Sequence, residues 1–474
     1  MEKTSKSKLN IEPPPMSYFS SQNHESVECL EAKTSGLSSQ ISTVSSNKYP
    51  SHQQKHISSA DRPFQLMLFD LSIYGHHPGY IRYLMTHWHR LQVPCQLLIV
   101  VSPQFLVQHR DVVSWGETLD PINIKFIAIH QTEENRLQSR KNGLTRNLRN
   151  LQEWQIFCRY ARRLKADHAL LMYVDTYQYP LALRLNPPCS ISGIYFRPTF
   201  HYKDFDYGRF YEKKVRCKQE RFLLKAVLSN PNLDSLFTID PLVIRYLDNQ
   251  HILDHKLVSI PDPVPFYSYS DQELRRTKLS LKIDSSRKVF LLFGALTERK
   301  GIFQLLDALS LLSKETCQKI AIVFIGEASP ENKREIERRI ATVGHLPIQF
   351  YCHYEFIPED KIQAYFEVSD YVLALYQRHV GMSGILNIAA ARQKPVLSSD
   401  YGLMGELVHQ YSLGVAINSE CPQEIATGIQ NLLASKESKK NISKMKAFAD
   451  QHSTTEFAST IFNTLLSEFR LKTN

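Results

Sequence analysis

Lys300 stands where the strand-and-turn sequence VFLLFGALTERKG (289–301) enters a predicted helix. A lysine there can neutralise an anion, and Arg299 beside it offers a second positive charge. Gly294 breaks the strand and lets the backbone approach a ligand closely. A second segment, HVGMSGILNIAAARQKPVLSSDYGLMGELV (379–408), pairs the loop Gly381-Met-Ser383-Gly384 with an Ala-rich helix and a strand. A helix start presents unpaired N–H groups at the positive end of the helix dipole, so this loop also suits a phosphate. Its simpler reading is a tight turn, and that of Lys300 is a solvated helix-start lysine. Glu406, beyond the next strand, is either a carboxylate favoured by the dipole or a hydroxyl-binding group.

In the first half, Gly75-His76-His77-Pro78-Gly79 lies between a strand and a helix. Loops at the carboxyl ends of parallel strands face the ligand crevice, so His76 and His77 are candidates to contact a substrate, His77 as a base. Asp175 ends the predicted strand HALLMYVD and is a candidate base or hydroxyl binder. His130 ends another strand, and Arg197 and His201 in FRPTFHY are further cleft candidates. Each of these strand-end residues equally fits an ordinary cap. Asp204-Phe-Asp206 matches D-x-D, a short pattern that often arises by chance, and no metal site is assigned. Asp262 is read as a residue fixing the crossing between two halves.

These residues need a scaffold of strands alternating with helices. Apolar runs at 64–70, 95–102, 123–130, 168–175, 190–197, 233–240 and 256–264 supply one series. Runs at 289–293, 320–328, 347–356, 371–376 and 395–399 supply another. Both series open as strand, Gly loop, helix, which predicts an α/β chain of two Rossmann-like domains facing across a cleft. The expected boundaries are a disordered Ser-rich tail at 1–61, a first domain at 62–265, a linker at 266–287, a second domain at 288–450 and a terminal helix at 451–474. A single long helical region is expected over 134–166.

The 474 residues carry 57 Lys and Arg against 47 Asp and Glu, a net charge of +10. Charges in the tail are nearly balanced, so the excess sits in the folded part and favours an anionic ligand or surface. Arginines and lysines between 136 and 165 interleave with apolar residues at helical spacing, which fits either a solvated face or peripheral contact with anionic lipid. Eight scattered cysteines without C-x-x-C spacing read as reduced thiols, and a polar N-terminus without an apolar core points to a cytoplasmic protein. Nucleic acid ranks last as a partner, because no reading module is recognisable.

Taken in order, Gly294, Leu296, Lys300 and Gly301, then Gly381, Ser383, Gly384, Ala389–Ala391 and Lys394-Pro395-Val396, resemble the C-terminal half of the retaining, sugar-nucleotide-dependent glycosyltransferases of group 1, which adopt the GT-B fold. The resemblance covers 289 to about 435 well and the first half more loosely. It implies a hexosyltransferase-like enzyme that moves a sugar from a nucleotide-diphosphate sugar to an acceptor hydroxyl on a glycan, lipid or small molecule, with retention and without a cofactor. Gly294, Arg299, Lys300, Gly381, Ser383, Gly384 and Glu406 would bind the donor. His130 falls where relatives place an active-site histidine, His77 and Asp175 join it as catalytic candidates, and His76, Arg197 and His201 face the acceptor. The resemblance also implies that the terminal helix crosses back to the first domain. Two departures stand out. Ala295 replaces the family's arginine, and the family's two glutamates seven residues apart are missing near His379/Val380 and Asn387/Ile388. The alternative is therefore a degenerate GT-B protein that binds a sugar or nucleotide, or scaffolds polysaccharide assembly, without turnover.

Overall fold

The computed structural model describes residues 62–138, 143–201, 214–251, 255–435 and 439–473. The N-terminal tail, the D-x-D at 204–206 and the basic pair Arg140-Lys141 lie outside the described residues. Among the described residues, thirteen strands form two sheets. The first runs β3-β2-β1-β4-β5-β6-β7, with β1 Phe64–Asp70, β2 Cys95–Val101, β3 Ile124–Ala128, β4 His168–Leu171, β5 Ser190–Tyr195, β6 Leu233–Thr238 and β7 Leu257–Ser259. The second runs β10-β9-β8-β11-β12-β13, with β8 Lys288–Phe293, β9 Ile320–Ile325, β10 Gln349–His353, β11 Tyr371–Ala374, β12 Val396–Ser399 and β13 Gly414–Ile417.

Paired strands in both sheets are parallel, as at Leu66 opposite His168 in the first and Val289 opposite Ala321 in the second. A parallel sheet covered on both faces needs strands that are apolar on both sides. Ile320–Ile325 is accordingly buried at every position, and β8 at every position after Lys288. In each sheet the strand order reverses once, between β1 and β4 and between β8 and β11. Such reversals open a crevice at the carboxyl ends of the strands.

The expected α/β architecture of two Rossmann-like sheets is present, with differences in detail. The segment read as linker contains helix Asp271–Ser280, started by a capping box in which Ser270 and Glu273 satisfy each other's backbone N–H. The single helix expected over 134–166 is two, Gln131–Asn135 and Gly143–Arg163. The first is started by a capping box between His130 and Glu133.

Several contacts tie the two sheets together. The Tyr80 hydroxyl donates to Asp262, and Asn387 Nδ2 donates to the Asp262 carbonyl at 2.8 Å. Arg245, on helix Pro241–Asn249, pairs with Glu406 at 2.7 Å. The terminal helix Thr454–Thr473 lies against helix His77–Leu91, with Phe457 on Tyr80 (ring centroids 4.8 Å) and Phe462 on Trp88 (5.2 Å). Phe457 and Phe462 are fully buried. Phe462→Ala should therefore cost about 3–5 kcal/mol of stability. Urea unfolding followed by tryptophan fluorescence checks this, and an unchanged midpoint would show the terminal helix to be a passive appendage.

Candidate active site

On the second sheet, β8 ends at Phe293 and the chain turns at Gly294 into a single 3₁₀ turn, Glu298–Lys300, before helix Ile302–Leu309. Gly301 joins the two in the left-handed region, φ 71°, and a Cβ there would lie 2.2 Å from the Leu375 carbonyl oxygen. Only glycine fits, and the tight joint turns Lys300 inward. Lys300 is 6% exposed. Its Nζ donates to the Phe293 carbonyl (2.9 Å) and the Tyr376 hydroxyl (2.5 Å) and lies 4.3 Å from the centre of the Tyr376 ring. No carboxylate pairs with this ammonium among the described residues.

Tyr376 follows β11 and is the centre of this wall. Its hydroxyl also meets Ser383 Oγ at 2.7 Å, and Arg299 lies over its ring at 5.3 Å. Burial alone would raise the phenol, but Lys300, its hydrogen bond, Ser383 and Arg299 together hold it below its ordinary value. His379 stacks beside Tyr376 (5.0 Å) and Nε2 meets the Met382 carbonyl at 3.1 Å. Burial, with Arg299, Lys300 and Arg197 nearby, outweighs that hydrogen bond and pushes His379 down to about 4, so the ring is neutral near pH 7. Ser383 precedes helix Gly384–Ala391, whose start no side chain caps. Gly381 and Gly384 have open space where a Cβ would sit.

On the first sheet, β1 ends at Asp70, which is 4% exposed. Asp70 Oδ1 accepts from Ser72 N–H at 2.9 Å, and Oδ2 meets His77 Nδ1 at 2.6 Å. His76 stacks on His77 (4.8 Å) and contacts Tyr80 (4.6 Å) and Phe196 (4.8 Å), and Tyr173 closes the cluster against His77 and Phe196. His76 is solvent-exposed yet set in this aromatic crowd, which lowers its pKa together with the charges of His77 and Arg197. Arg197 thus acts on His76 of one wall and His379 of the other, and it connects the two halves of the crevice electrostatically.

Other residues singled out in the sequence have local duties. Asp175 accepts the backbone N–H of Phe196 (2.9 Å) and Arg197 (3.1 Å), so it shapes the segment that carries Arg197. Burial pushes its carboxyl up to about 6, against those hydrogen bonds and the Arg197 charge. His130 is exposed and caps helix Gln131–Asn135, its Nδ1 accepting from Thr132 N–H at 3.3 Å. His201 is fully buried and pairs with Asp240 at 3.0 Å beside Tyr246, inside the first sheet's own packing. Glu406 is 4% exposed, and Oε2, away from Arg245, has no hydrogen-bond partner among the described residues. Sequence reasoning did not single out Asp70, Tyr173, Phe196 or Tyr376. Asp70 and Tyr376 carried the usable signal, a polar residue closing an otherwise apolar strand.

Much of the basic face is spent internally. Arg149 pairs with Glu153 at 2.6 Å and Arg159 pairs with Glu133. Arg146, Arg162, Arg163 and Lys165 remain exposed, with Leu144, Leu148 and Leu151 at 73, 47 and 38% exposure. Among the described residues no helix is long and apolar enough to cross a membrane, and no group of three or more His, Cys, Asp or Glu could hold a metal ion.

Two parallel sheets with crevices at facing carboxyl ends define the GT-B class. Residues 275–447 match the family model "Glycosyl transferases group 1". Anabaena HepE, solved with UDP, is similar at 14% identity and a TM-score of 0.60 over 85% of this chain and 100% of its own. The sucrose-phosphate synthase of Thermosynechococcus elongatus is similar at 14% identity and a TM-score of 0.58, over 86% of this chain and 98% of its own. A Rickettsia africae glycosyltransferase is similar at 14% identity and a TM-score of 0.56, over 86% and 97%. At these identities the likeness is one of fold. No curated protein matches this sequence.

Asp262 offers a test of the joint between the sheets. Burial pushes its carboxyl up to about 6, against the hydrogen bond from Tyr80, while 3.8 is its ordinary value. The folded state therefore holds this proton more tightly than the unfolded chain does. Asp262 favours the fold at low pH, and that advantage is lost as pH rises through about 4 to 6. Asp262→Asn should flatten the fall in urea midpoint across this window. An unchanged slope would mean that the group is ionised and compensated in the fold.

Proposed function

We propose that this chain transfers a sugar from a nucleoside-diphosphate sugar to an acceptor hydroxyl, with the donor diphosphate held on the second sheet. The observation that carries this reading is the Lys300 ammonium, buried at the β8–β11 reversal and bound only to neutral oxygens. A buried cation without a carboxylate is costly, and a diphosphate supplies the missing charge. Arg299 and the uncapped start of helix Gly384–Ala391 add to the same anion site. Gly294, Gly381 and Gly384 leave room for the phosphates, and Ser383 lies one hydroxyl away from Lys300 through Tyr376.

On this reading residues 288–450 form the donor domain and 62–265 the acceptor domain, with His76, His77 and Arg197 facing the sugar or acceptor. HepE has been solved with UDP and with UDP-glucose, which makes UDP-glucose the first donor to try. Developing charge on the diphosphate as the sugar–oxygen bond breaks falls on Lys300 and Arg299. The family's glutamates are missing near His379/Val380 and Asn387/Ile388, and this favours a second reading: a protein that binds the nucleotide without turnover.

Isothermal titration with UDP, and release of UDP from UDP-glucose, separate the readings. Lys300→Ala should weaken UDP binding and lower turnover about 10²–10³-fold, equivalent to about 2.7–4 kcal/mol, with the melting temperature retained. Wild-type affinity and turnover in the alanine variant would remove Lys300 from the site. UDP binding without any release of UDP from UDP-glucose would support the second reading.

The exposed arginines of helix Gly143–Arg163, beside Leu144, Leu148 and Leu151, are the surface we assign to peripheral contact with anionic lipid. Each such charge near an anionic surface is worth about 1 kcal/mol. The chain should sediment with phosphatidylserine vesicles at low salt, and Arg146, Arg162 and Arg163 changed to Gln should reduce the bound fraction. Equal recovery with neutral and anionic vesicles would leave the face simply solvated.

A further inference from the structure

We infer that Tyr376 relays the Lys300 charge to Ser383, so that the Ser383 hydroxyl is set to donate a hydrogen bond to the diphosphate. Tyr376 is then a positioning residue, acting on the ligand through its two neighbours. This inference rests on the diphosphate reading above and goes beyond it by assigning a direction to each hydrogen bond. An ammonium has three protons and no lone pair, so the 2.5 Å contact is a bond from Lys300 Nζ to the Tyr376 oxygen. The 2.7 Å contact between Tyr376 and Ser383 Oγ could run either way by distance alone. Lys300 decides it. A phenol oxygen that accepts from a cation becomes a stronger donor and a weaker acceptor. Tyr376 therefore gives its own proton to Ser383 Oγ.

That direction leaves the Ser383 proton unassigned. Ser383 is 9% exposed, and its hydroxyl meets no second side chain or backbone group among the described residues. It does not cap helix Gly384–Ala391, which it precedes. One of the three Lys300 protons is also without a partner among the described residues, because Phe293 and Tyr376 take the other two. Both spare donors stand one hydrogen bond from the same phenol oxygen. The oxygens of a diphosphate accept and carry negative charge, which matches a cation and a polarised hydroxyl held this close together.

The surroundings hold the relay in place. Tyr376 is 4% exposed, so water does not compete for its oxygen. Its carbonyl accepts from Ser419 Oγ at 2.9 Å, and the next residue, Gln377, donates its N–H to the Arg299 carbonyl at 2.8 Å. The end of β11 is thereby tied to the turn that carries Lys300. Lys300 Nζ at 4.3 Å and Arg299 at 5.3 Å lie over the phenol ring, and their charges draw electron density from the hydroxyl and favour donation to Ser383. The lowered pKa of the phenol, despite its burial, has the same cause. His379 packs on the ring but turns Nε2 to the Met382 carbonyl. The hydroxyl is left to Lys300 and Ser383, and it joins the β8 turn and the Gly381–Gly384 loop into one anion site.

The test titrates the full chain with UDP, inorganic diphosphate and uridine, and follows the melting temperature of each variant. Tyr376→Phe removes the hydroxyl and keeps the ring. Tyr376→Phe and Ser383→Ala should each weaken UDP and inorganic diphosphate about 10-fold. The double variant should lose no more than either alone, because each change breaks the same chain of bonds. Uridine, which has no phosphate, should bind every variant as it binds the wild type. The ultraviolet difference spectrum between wild type and Tyr376→Phe should be that of a protonated phenol at neutral pH. A tyrosinate band would reverse the Ser383 bond and overturn the relay. So would losses that add, about 100-fold in the double variant, or unchanged diphosphate affinity in Tyr376→Phe. An equal loss for uridine would overturn it too, by marking a purely structural role. Wild type that binds inorganic diphosphate but not UDP would overturn the reading with UDP donors, and the relay would be decided on inorganic diphosphate. Binding of neither would overturn both.

Discussion

A lysine ammonium held out of water between a carbonyl and a tyrosine hydroxyl sets the terms for the second half of this chain. Taking a charge into the interior costs several kcal/mol unless it is compensated, and Lys300 has no carboxylate to compensate it among the described residues. The fold nevertheless commits backbone and side chains to keeping it there. Gly301 accepts a left-handed conformation against the Leu375 carbonyl so that the 3₁₀ turn can point Lys300 inward. Gly294 stands 3.0 Å from Nζ where a side chain would begin, which leaves the ammonium room. Tyr376 gives it a hydroxyl and a ring face together. An arrangement this costly fits a site completed by an anion better than one serving stability alone.

The scaffold was more legible in the sequence than the site. Apolar runs such as IAIVFI and VFLLF announce strands buried on both faces, and the Gly-containing loops behind them announce the crevice. Helix boundaries were less legible. Ser270 and Glu273 do spell a capping box, but the polar residues between 268 and 287 resemble a linker because no face of helix Asp271–Ser280 is buried. Polar residues at strand ends were legible as a class but not by role. His130 caps a helix, His201 pairs inside the first sheet's packing, and Asp175 holds backbone amides. Residue type and position along a strand do not distinguish these duties from contact with a ligand; the direction of the side chain does. Tyr376 shows the reverse case, because it closes the run YVLALY and looks like a core tyrosine until Lys300 and Ser383 are seen to meet at its hydroxyl.

Charge is divided unevenly between the two walls. The second sheet contributes Lys300 and Arg299, the first Arg197, and both crevice histidines with lowered pKa values, His76 and His379, stay neutral beside them. Cations set beside neutral rings make this crevice favourable for an anion. The carboxylates lie one step back from the crevice, each engaged by a partner that orients a neighbour. Asp175 fixes the strand end that carries Arg197, Asp262 fixes Tyr80, and Asp70 fixes His77. In the second half of the chain the same economy appears at Glu406, whose one paired oxygen holds Arg245 of the first.

This division explains why losing the family's two glutamates need not empty the site. A carboxylate at His379 or Val380, or at Asn387 or Ile388, would stand in the same half of the chain as Lys300 and Arg299 and compete with an anion for them. On the proposed reading, the absence of those carboxylates leaves the cations of the second wall to the phosphates. Asp70, on the first wall, is buried behind the His77 imidazole with Oδ2 2.6 Å from Nδ1. The buried lysine thus belongs to one sheet and the buried carboxylate–histidine pair to the other. Contacts between Tyr80, Asp262 and Asn387 hold the two at a fixed separation. Tyr80 also packs on His76, so the joint between the sheets also positions the turn that bears His76 and His77.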